Sequence, residues 1–357
     1  MSFSRLFHRL PAGVADSLAA ALLFGAAAPL AKLLLARTDP WLLAALLYLG
    51  SGVGLALLRR LRGAEPVRLP PGEGRWLAAA VLAGGVAGPV LLMAGLAGLP
   101  ASQASLLLNG EAVLTALLAW IVFRENVDRR IALGMVAIVA GGLVLAWPQE
   151  GGAGRAAPGA MLLVLAACLA WAVDNNLTRK VSLADASWIA MVKGLAAGST
   201  NLVLALLLGA RAPAWPVLAG AMLLGFASYG VSLVLFVRGL RFLGTARTGA
   251  YFSVAPFFGA ALAVLLLGEP LGWPLLAAAA LMAGGVWLHL TESHAHRHAH
   301  EALDHAHEHV HGVGDEHHDH AHMPPVPAGT RHSHPHHHVP LVHAHPHFPD
   351  AHHRHGH

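Results

Sequence analysis

The sequence predicts an all-α polytopic membrane protein, with about ten transmembrane helices in two inverted five-helix repeats and a disordered C-terminal tail. Three observations carry this expectation. The chain is 56% hydrophobic and only 12% charged, with a mean hydropathy of +0.57, so it has more apolar surface than a water-soluble globule can hide. Its apolar stretches run to about 20 residues without alternating at period two, which selects helices over a barrel. The chain also repeats itself. Asn109 to Trp120, then Phe123-Arg124-Glu125-Asn126 and Gly141-Gly142, recurs as Val254 to Val264, then Leu267-Gly268-Glu269-Pro270 and Gly284-Gly285.

Cutting at charges and at Pro/Gly clusters places the spans in order at 13–36, 41–58, 76–98, 101–122, 131–147, 159–178, 186–209, 216–237, 246–267 and 273–290. The first follows Arg5 and Arg9 but is long enough to span and lacks a small-residue cleavage site, so it is read as a helix rather than a signal peptide. Pro29, Pro89 and Pro256 fall inside spans and interrupt the local hydrogen-bond ladder. Arginines and lysines concentrate after the second, fourth, sixth and eighth spans, whereas the alternate loops hold only Arg37, Arg155 and Arg211. This asymmetry, with an even number of crossings, predicts that both termini lie in the cytoplasm. The organisation expected is a cytoplasmic N-terminus (1–12), a first repeat (13–147), an external linker (148–158), a second repeat (159–290) and a cytoplasmic tail (291–357). An odd number of spans per half inverts one repeat relative to the other, as in carriers that bind cargo at the midplane between repeats.

All 26 histidines except His8 and His289 lie in the tail. Interleaved with Ala, Pro, Asp and Glu, they offer no apolar face to bury, so disorder is expected. Imidazole ligates Ni, Co, Zn and Cu well. The candidate metal ligands are His294, His296, His298, His300, His305, His307, His309, His317, His318, His320, His336, His337 and His338. A solvating, pH-responsive tail is the alternative reading. The single cysteine, Cys168, sits in an apolar run and leaves no disulfide framework.

The repeated module resembles the EamA family of the drug/metabolite transporter superfamily. Each copy has an apolar helix carrying Glu/Ala-Pro-Val/Phe, a Gly-Glu turn and a closing helix with Gly-Gly, and the two copies cover nearly all of 13–290. The resemblance implies ten helices, two inverted repeats, a central cavity and a carrier of the cytoplasmic membrane. Ala112 departs from it by standing where the first module usually carries Pro, and Lys193 matches a cationic position that the first half lacks.

An ionisable group at bilayer depth is costly unless it faces a wet cavity or a partner, so each is a functional candidate. The substrate- or ion-binding candidates are Glu111, Asp174, Asn175, Asn176, Lys193 and Tyr251. Glu111 suits a cation or an exchanged proton, or else a structural pairing with Lys193 or Lys32. The Asp174-Asn175-Asn176 cluster offers oxygens for a hard cation, a metal complex or an ammonium group, or a salt bridge to neighbouring bases. Lys193 suits a substrate carboxylate, or neutralises Asp174 or Glu111. Lys32 is expected to snorkel, and Trp171, Tyr229 and Phe252 are candidate cavity aromatics. Phosphate loops and Gly-x-Ser-x-Gly are absent, so no enzyme is expected.

The function read from these features is secondary transport, as an exporter of a small metabolite, metal ion or metal complex, with a tail that binds divalent transition metal. The competing reading is a membrane-anchored metal-sensing or metal-buffering protein without transport. No cofactor is required. Partners are the bilayer, a small-molecule or metal substrate and a second copy of the chain as candidate, with no role for nucleic acid. A reporter fused after His357 is expected to be cytoplasmic and one near Arg155 external; an external signal from the C-terminal fusion contradicts the inverted-repeat topology.

Overall fold

A computed structural model describes residues 12–64, 66–67, 69–123, 129–146, 158–178, 181, 184–290, 295–300, 303–310, 331–338 and 341–346. The first repeat holds α1 (Ala12–Gly25), α2 (Ala27–Leu35), α3 (Pro40–Leu61), α4 (Gly74–Ala80), α5 (Gly88–Ala97), α6 (Ala101–Leu107), α7 (Gly110–Phe123) and α8 (Arg129–Ala146). The second holds α9 (Pro158–Thr178), α10 (Ala186–Leu207), α11 (Trp215–Gly225), α12 (Ser232–Phe252), α13 (Ala255–Leu267) and α14 (Trp273–Leu290). Wider π-helical turns join α4 to α5 (Val81–Ala87) and α11 to α12 (Phe226–Val231). Six described helices are long and apolar enough to cross a membrane, and shorter apolar ones cover Ala132–Ala146, Ala255–Leu267 and Trp273–Leu288. With α6 and α7 these occupy the ten expected spans. Many large apolar side chains face outward, Leu207 and Leu265 each 78% exposed among them, as suits a lipid surround.

The two halves repeat in detail. Asp39 caps α3 by accepting hydrogen bonds from the Trp41 and Leu42 amides (2.8 and 3.2 Å), and Asp185 caps α10 through the Trp188 amide (2.9 Å). The π turns and the helix interruptions at Leu108–Asn109 and Ser253–Val254 recur at nearly the same spacing. Their physical causes differ. Asn109 donates to the Leu106 carbonyl (3.0 Å), competing with the backbone ladder, whereas Pro256 has no N–H to contribute. Pro29 and Pro89 act similarly, freeing the carbonyls four residues earlier, Gly25 at the α1–α2 interruption and Gly85 within the first π turn.

The structure amends two readings. The fourth span is two half-helices rather than one. Arg238, Arg241 and Arg247 lie in one continuous helix, α12, where the sequence places a loop after 237. Charges mark where a chain leaves lipid, but they do not interrupt a helical backbone.

Helices pack on each other across the repeats: the equivalent pairs α3 on α10 and α8 on α14, and α6 on α13. Glycines set the spacing. A Cβ at Gly285 would stand 2.6 Å from the Gly134 carbonyl, and one at Gly141 would stand 3.0 Å from the Ala278 carbonyl. Arg59 at the end of α3 bonds Asp185 (2.8 Å) and Ser187 (2.5 Å). Burial pushes the Asp185 carboxyl up, but the Ser187 hydroxyl, the Trp188 amide and the Arg59 guanidinium outweigh it and hold it below the ordinary carboxylate range. A depressed carboxyl contributes its stability above the unfolded value near 3.9 and loses it only as pH falls through the folded value, so this tie is constant from about pH 5 upwards.

Ser293–His357 form a separate unit. Its backbone pairs β1 (Ala295–His300) with β4 (Leu341–Pro346) and β2 (Leu303–Val310) with β3 (Arg331–His338), both antiparallel. The lack of an apolar face removes a core but not main-chain pairing, and the His-x-His alternation matches the strand period of two. Of the candidate ligands, His294, His317, His318 and His320 lie outside the described residues. His296, His298 and His300 fall on β1, His305, His307 and His309 on β2, and His336, His337 and His338 on β3.

The glycine pairs make a matched test. Gly141→Ala and Gly285→Ala force packed backbone apart and are expected to cost about 1–3 kcal/mol, read as a lower thermal midpoint. Gly284, where an added Cβ would meet nothing within 4 Å, and Gly142, where the nearest neighbour would be 3.9 Å away, are expected to accept Ala without loss.

Candidate functional site

Fixed charge gathers where α9 meets α7 and α10. Lys193 Nζ lies 2.6 Å from both oxygens of Asp174 and 3.3 Å from Thr178 Oγ1, and the Thr178 hydroxyl donates to Asp174 Oδ1 (2.8 Å). Asp174 is buried, 5% exposed. At that depth a lone carboxylate is expensive, whereas a two-oxygen contact with an ammonium group meets most of its need. Asp174 and Lys193 therefore neutralise each other.

Glu111 is set differently. It lies in the first turn of α7, beyond the interruption, and accepts one hydrogen bond from Asn175 Nδ2 (2.8 Å), a donor that also reaches Thr115 Oγ1 (3.4 Å). No cation pairs with Glu111 among the described residues. The helix start beside it carries partial positive charge, which favours an anion there. Half-helices meeting inside a membrane commonly build ion and substrate sites in this way.

The π turn before α5 ties this acid region to an aromatic wall. The Gly84 carbonyl accepts from both the Tyr48 hydroxyl and Trp171 Nε1 (2.9 Å each), and Asp174 packs directly on Gly84 Cα, where a Cβ would collide with the carboxylate. Asn201 Nδ2 lies 3.3 Å from the carbonyls of Gly85 and Val86, partners for groups that the wider turn and Pro89 leave open. Tyr48 stacks on Tyr229 at 5.5 Å, Tyr229 meets Phe24 edge-on at 5.9 Å, and Phe24 meets Phe252 at 5.4 Å. The wall thus draws on four spans and both repeats.

Of the residues singled out from sequence, Glu111 with Asn175 and Asp174 with Lys193 come together. Asn176 does not join them: its Nδ2 bonds the Ala172 carbonyl of its own helix (2.8 Å). Tyr251, partly buried on α12, makes no hydrogen bond to the cluster among the described residues. Lys32 does not snorkel freely. Its ammonium binds the carbonyls of Leu96, Ala97 and Leu99 (2.5, 3.1 and 2.8 Å), and Glu269 accepts from the amides of Ala101 (2.6 Å) and Ser102 (2.9 Å). Two charges from different repeats therefore cap the same corner. Sequence reasoning missed Phe24, Tyr48, Gly84 and Asn201; only the Gly84-Gly85 pair followed by Pro89 signalled an irregular turn.

The EamA-like transporter family matches residues 12–147 and 158–291, one match per repeat. An uncharacterized transporter of Methanothermobacter thermautotrophicus is 29% identical over 276 residues, covering 72% of this chain and 80% of its own. A probable amino-acid metabolite efflux pump of Salmonella typhimurium is 28% identical over 209 residues, covering 54% of this chain and 68% of its own. One crystal structure superposes with a TM-score of 0.57 at 20% identity, covering 77% of this chain and 95% of its own, a likeness of fold. With both repeats matched, the chain belongs to the EamA-like transporter family, a multi-pass membrane transporter.

Proposed function

We propose that this transporter is a secondary exporter of a small metabolite in the cytoplasmic membrane, that Glu111 exchanges cargo for a proton, and that the cytoplasmic tail binds divalent transition metal. The observation that carries the proposal is the contrast between buried Asp174 and partly buried Glu111. Asp174 is answered by Lys193 at 2.6 Å, while Glu111 has only the neutral Asn175 amide. An acid fixed by an ion pair cannot change charge cheaply; one held by an amide can. The name of the Salmonella relative, an efflux pump, favours the outward direction.

In this reading the repeats rock about the cluster. The Lys32 and Glu269 contacts close the external end, and the Arg59–Asp185 tie joins the repeats at the cytoplasmic end. Cargo enters from the cytoplasm and meets ionised Glu111. The external end opens when the Lys32 and Glu269 contacts part, and a proton replaces the cargo on the carboxylate. Protonated Glu111 carries no charge to strand in lipid, so the empty carrier resets.

Glu111→Gln keeps the shape and the Asn175 contact but not the charge. It is expected to insert normally and to lose at least about a hundredfold of proton-driven transport in proteoliposomes, the scale on which a positioned proton-transfer group contributes; unchanged flux contradicts the assignment. For the tail, full-length protein is expected to bind several Ni or Zn ions at pH 7 and to release them towards about pH 5, because imidazole must be neutral to ligate and titrates near 6.5. Protein truncated after Leu290 is expected to stay inserted and bind none of these ions. Equal metal binding by the two forms contradicts the tail's role.

A further inference from the structure

We infer that the cargo of this site is a protonated amine on an apolar or aromatic body, rather than a carboxylate, a phosphate or a bare metal ion. The inference rests on the exporter reading and names the class of substrate.

The first argument is charge. The described cluster holds two carboxyl groups, Glu111 and Asp174, and one amine, Lys193, which pairs with Asp174, so Glu111 is left without a cationic partner there. Lys193 is not open to cargo, because both Asp174 oxygens and Thr178 hold its ammonium. Lys32 is occupied at the corner by three carbonyls. An anionic substrate would therefore find no available cation and would face Glu111 at close range. An ammonium group finds the reverse, a carboxylate with one neutral partner.

The second argument is the wall. Trp171 and Asn175 are four residues apart on α9 and so share a face. Trp171 bonds the Gly84 carbonyl together with Tyr48, and Asn175 bonds Glu111. One turn of helix therefore separates the acid from the ring system that begins at Tyr48 and continues through Tyr229, Phe24 and Phe252. Phe24, Tyr48, Tyr229 and Phe252 are partly buried rather than sealed in the core. Aromatic faces attract cations and bury apolar bodies, and they offer nothing to an anion.

The third argument excludes a bare metal ion. Such an ion needs several anionic or imidazole donors, and no group of three His, Cys, Asp or Glu side chains able to hold one occurs among the described residues. An amine needs a single carboxylate.

The test uses the full-length protein in proteoliposomes with three amine probes: phenethylamine, tyramine and hexylamine. Each is compared with its N-acetyl form, which keeps the body and removes the charge, and with the carboxylate of matching length. Binding is read by competition against a radiolabelled amine and by tryptophan fluorescence. At least one amine is expected to bind about tenfold or more tightly than both of its counterparts, a preference that Glu111→Gln abolishes. Tyr229→Leu is expected to weaken phenethylamine more than hexylamine while leaving insertion intact. If no amine outbinds its counterparts in wild-type protein, or if a carboxylate does, the inference falls, and Glu111-dependent proton flux with another cargo would leave the exporter reading standing. Amine-specific binding without flux would instead uphold the class and overturn export. If Glu111→Gln does not insert, Glu111→Asp, which keeps the charge and shortens its reach, must retain the amine preference at reduced affinity; a preference lost with Asp despite normal insertion counts against the inference.

Discussion

The contact between Asp174 and Lys193 is the constraint on which the rest of the membrane domain depends. Hydrocarbon cannot solvate an ion, so a carboxylate that is 5% exposed must bring its own counter-ion. Lys193 supplies it at 2.6 Å to both oxygens. That satisfaction fixes α9 against α10 and presses Asp174 onto Gly84, where no side chain larger than glycine's fits. The Tyr48 and Trp171 hydrogen bonds to the Gly84 carbonyl sit directly beside that contact. Removing one partner leaves the other charged and buried, a penalty of about 3–5 kcal/mol by the general behaviour of such pairs.

Duplication builds the scaffold, and its failures build the site. The Asp39 and Asp185 caps, the two π turns and the two helix interruptions are shared by the halves. The ionic pair is not, and the interruption that carries Pro256 in one half carries Glu111 in the other. In the proposed mechanism a symmetric frame supplies two comparable arrangements of the repeats about one centre, and the asymmetric acid supplies the chemistry. The corner capped by Lys32 and Glu269 shows the same economy, since helix ends left open at a tight turn take one charge of each sign.

Much of this was legible in the sequence because lipid imposes few rules. Span length, the duplicated module and the rarity of Glu111, Asp174 and Lys193 within apolar runs each reflect a cost that composition records. Detail set by tertiary partners was not legible. Asn176 sits beside Asp174 and Asn175 in the chain, yet its side chain turns back on Ala172 of its own helix, a difference of helical face that three consecutive polar letters do not disclose. Lys32 reads as a snorkelling residue until the carbonyls around Leu96 and Leu99 are brought to it from 64 to 67 residues away. Continuity of α12 through Arg238 and Arg247 was hidden because charge reports membrane depth rather than backbone geometry.

The central proposal is that Glu111 changes its charge during transport while Asp174 and Lys193 remain paired. Infrared difference spectroscopy of the full-length protein in lipid, recorded across a pH titration, separates protonated from ionised carboxyl groups directly. The account predicts a protonated-carboxyl band that grows as pH falls, is absent from Glu111→Gln and persists in the Asp174→Asn, Lys193→Met double variant. A band that survives Glu111→Gln but disappears with the Asp174 substitution would contradict it.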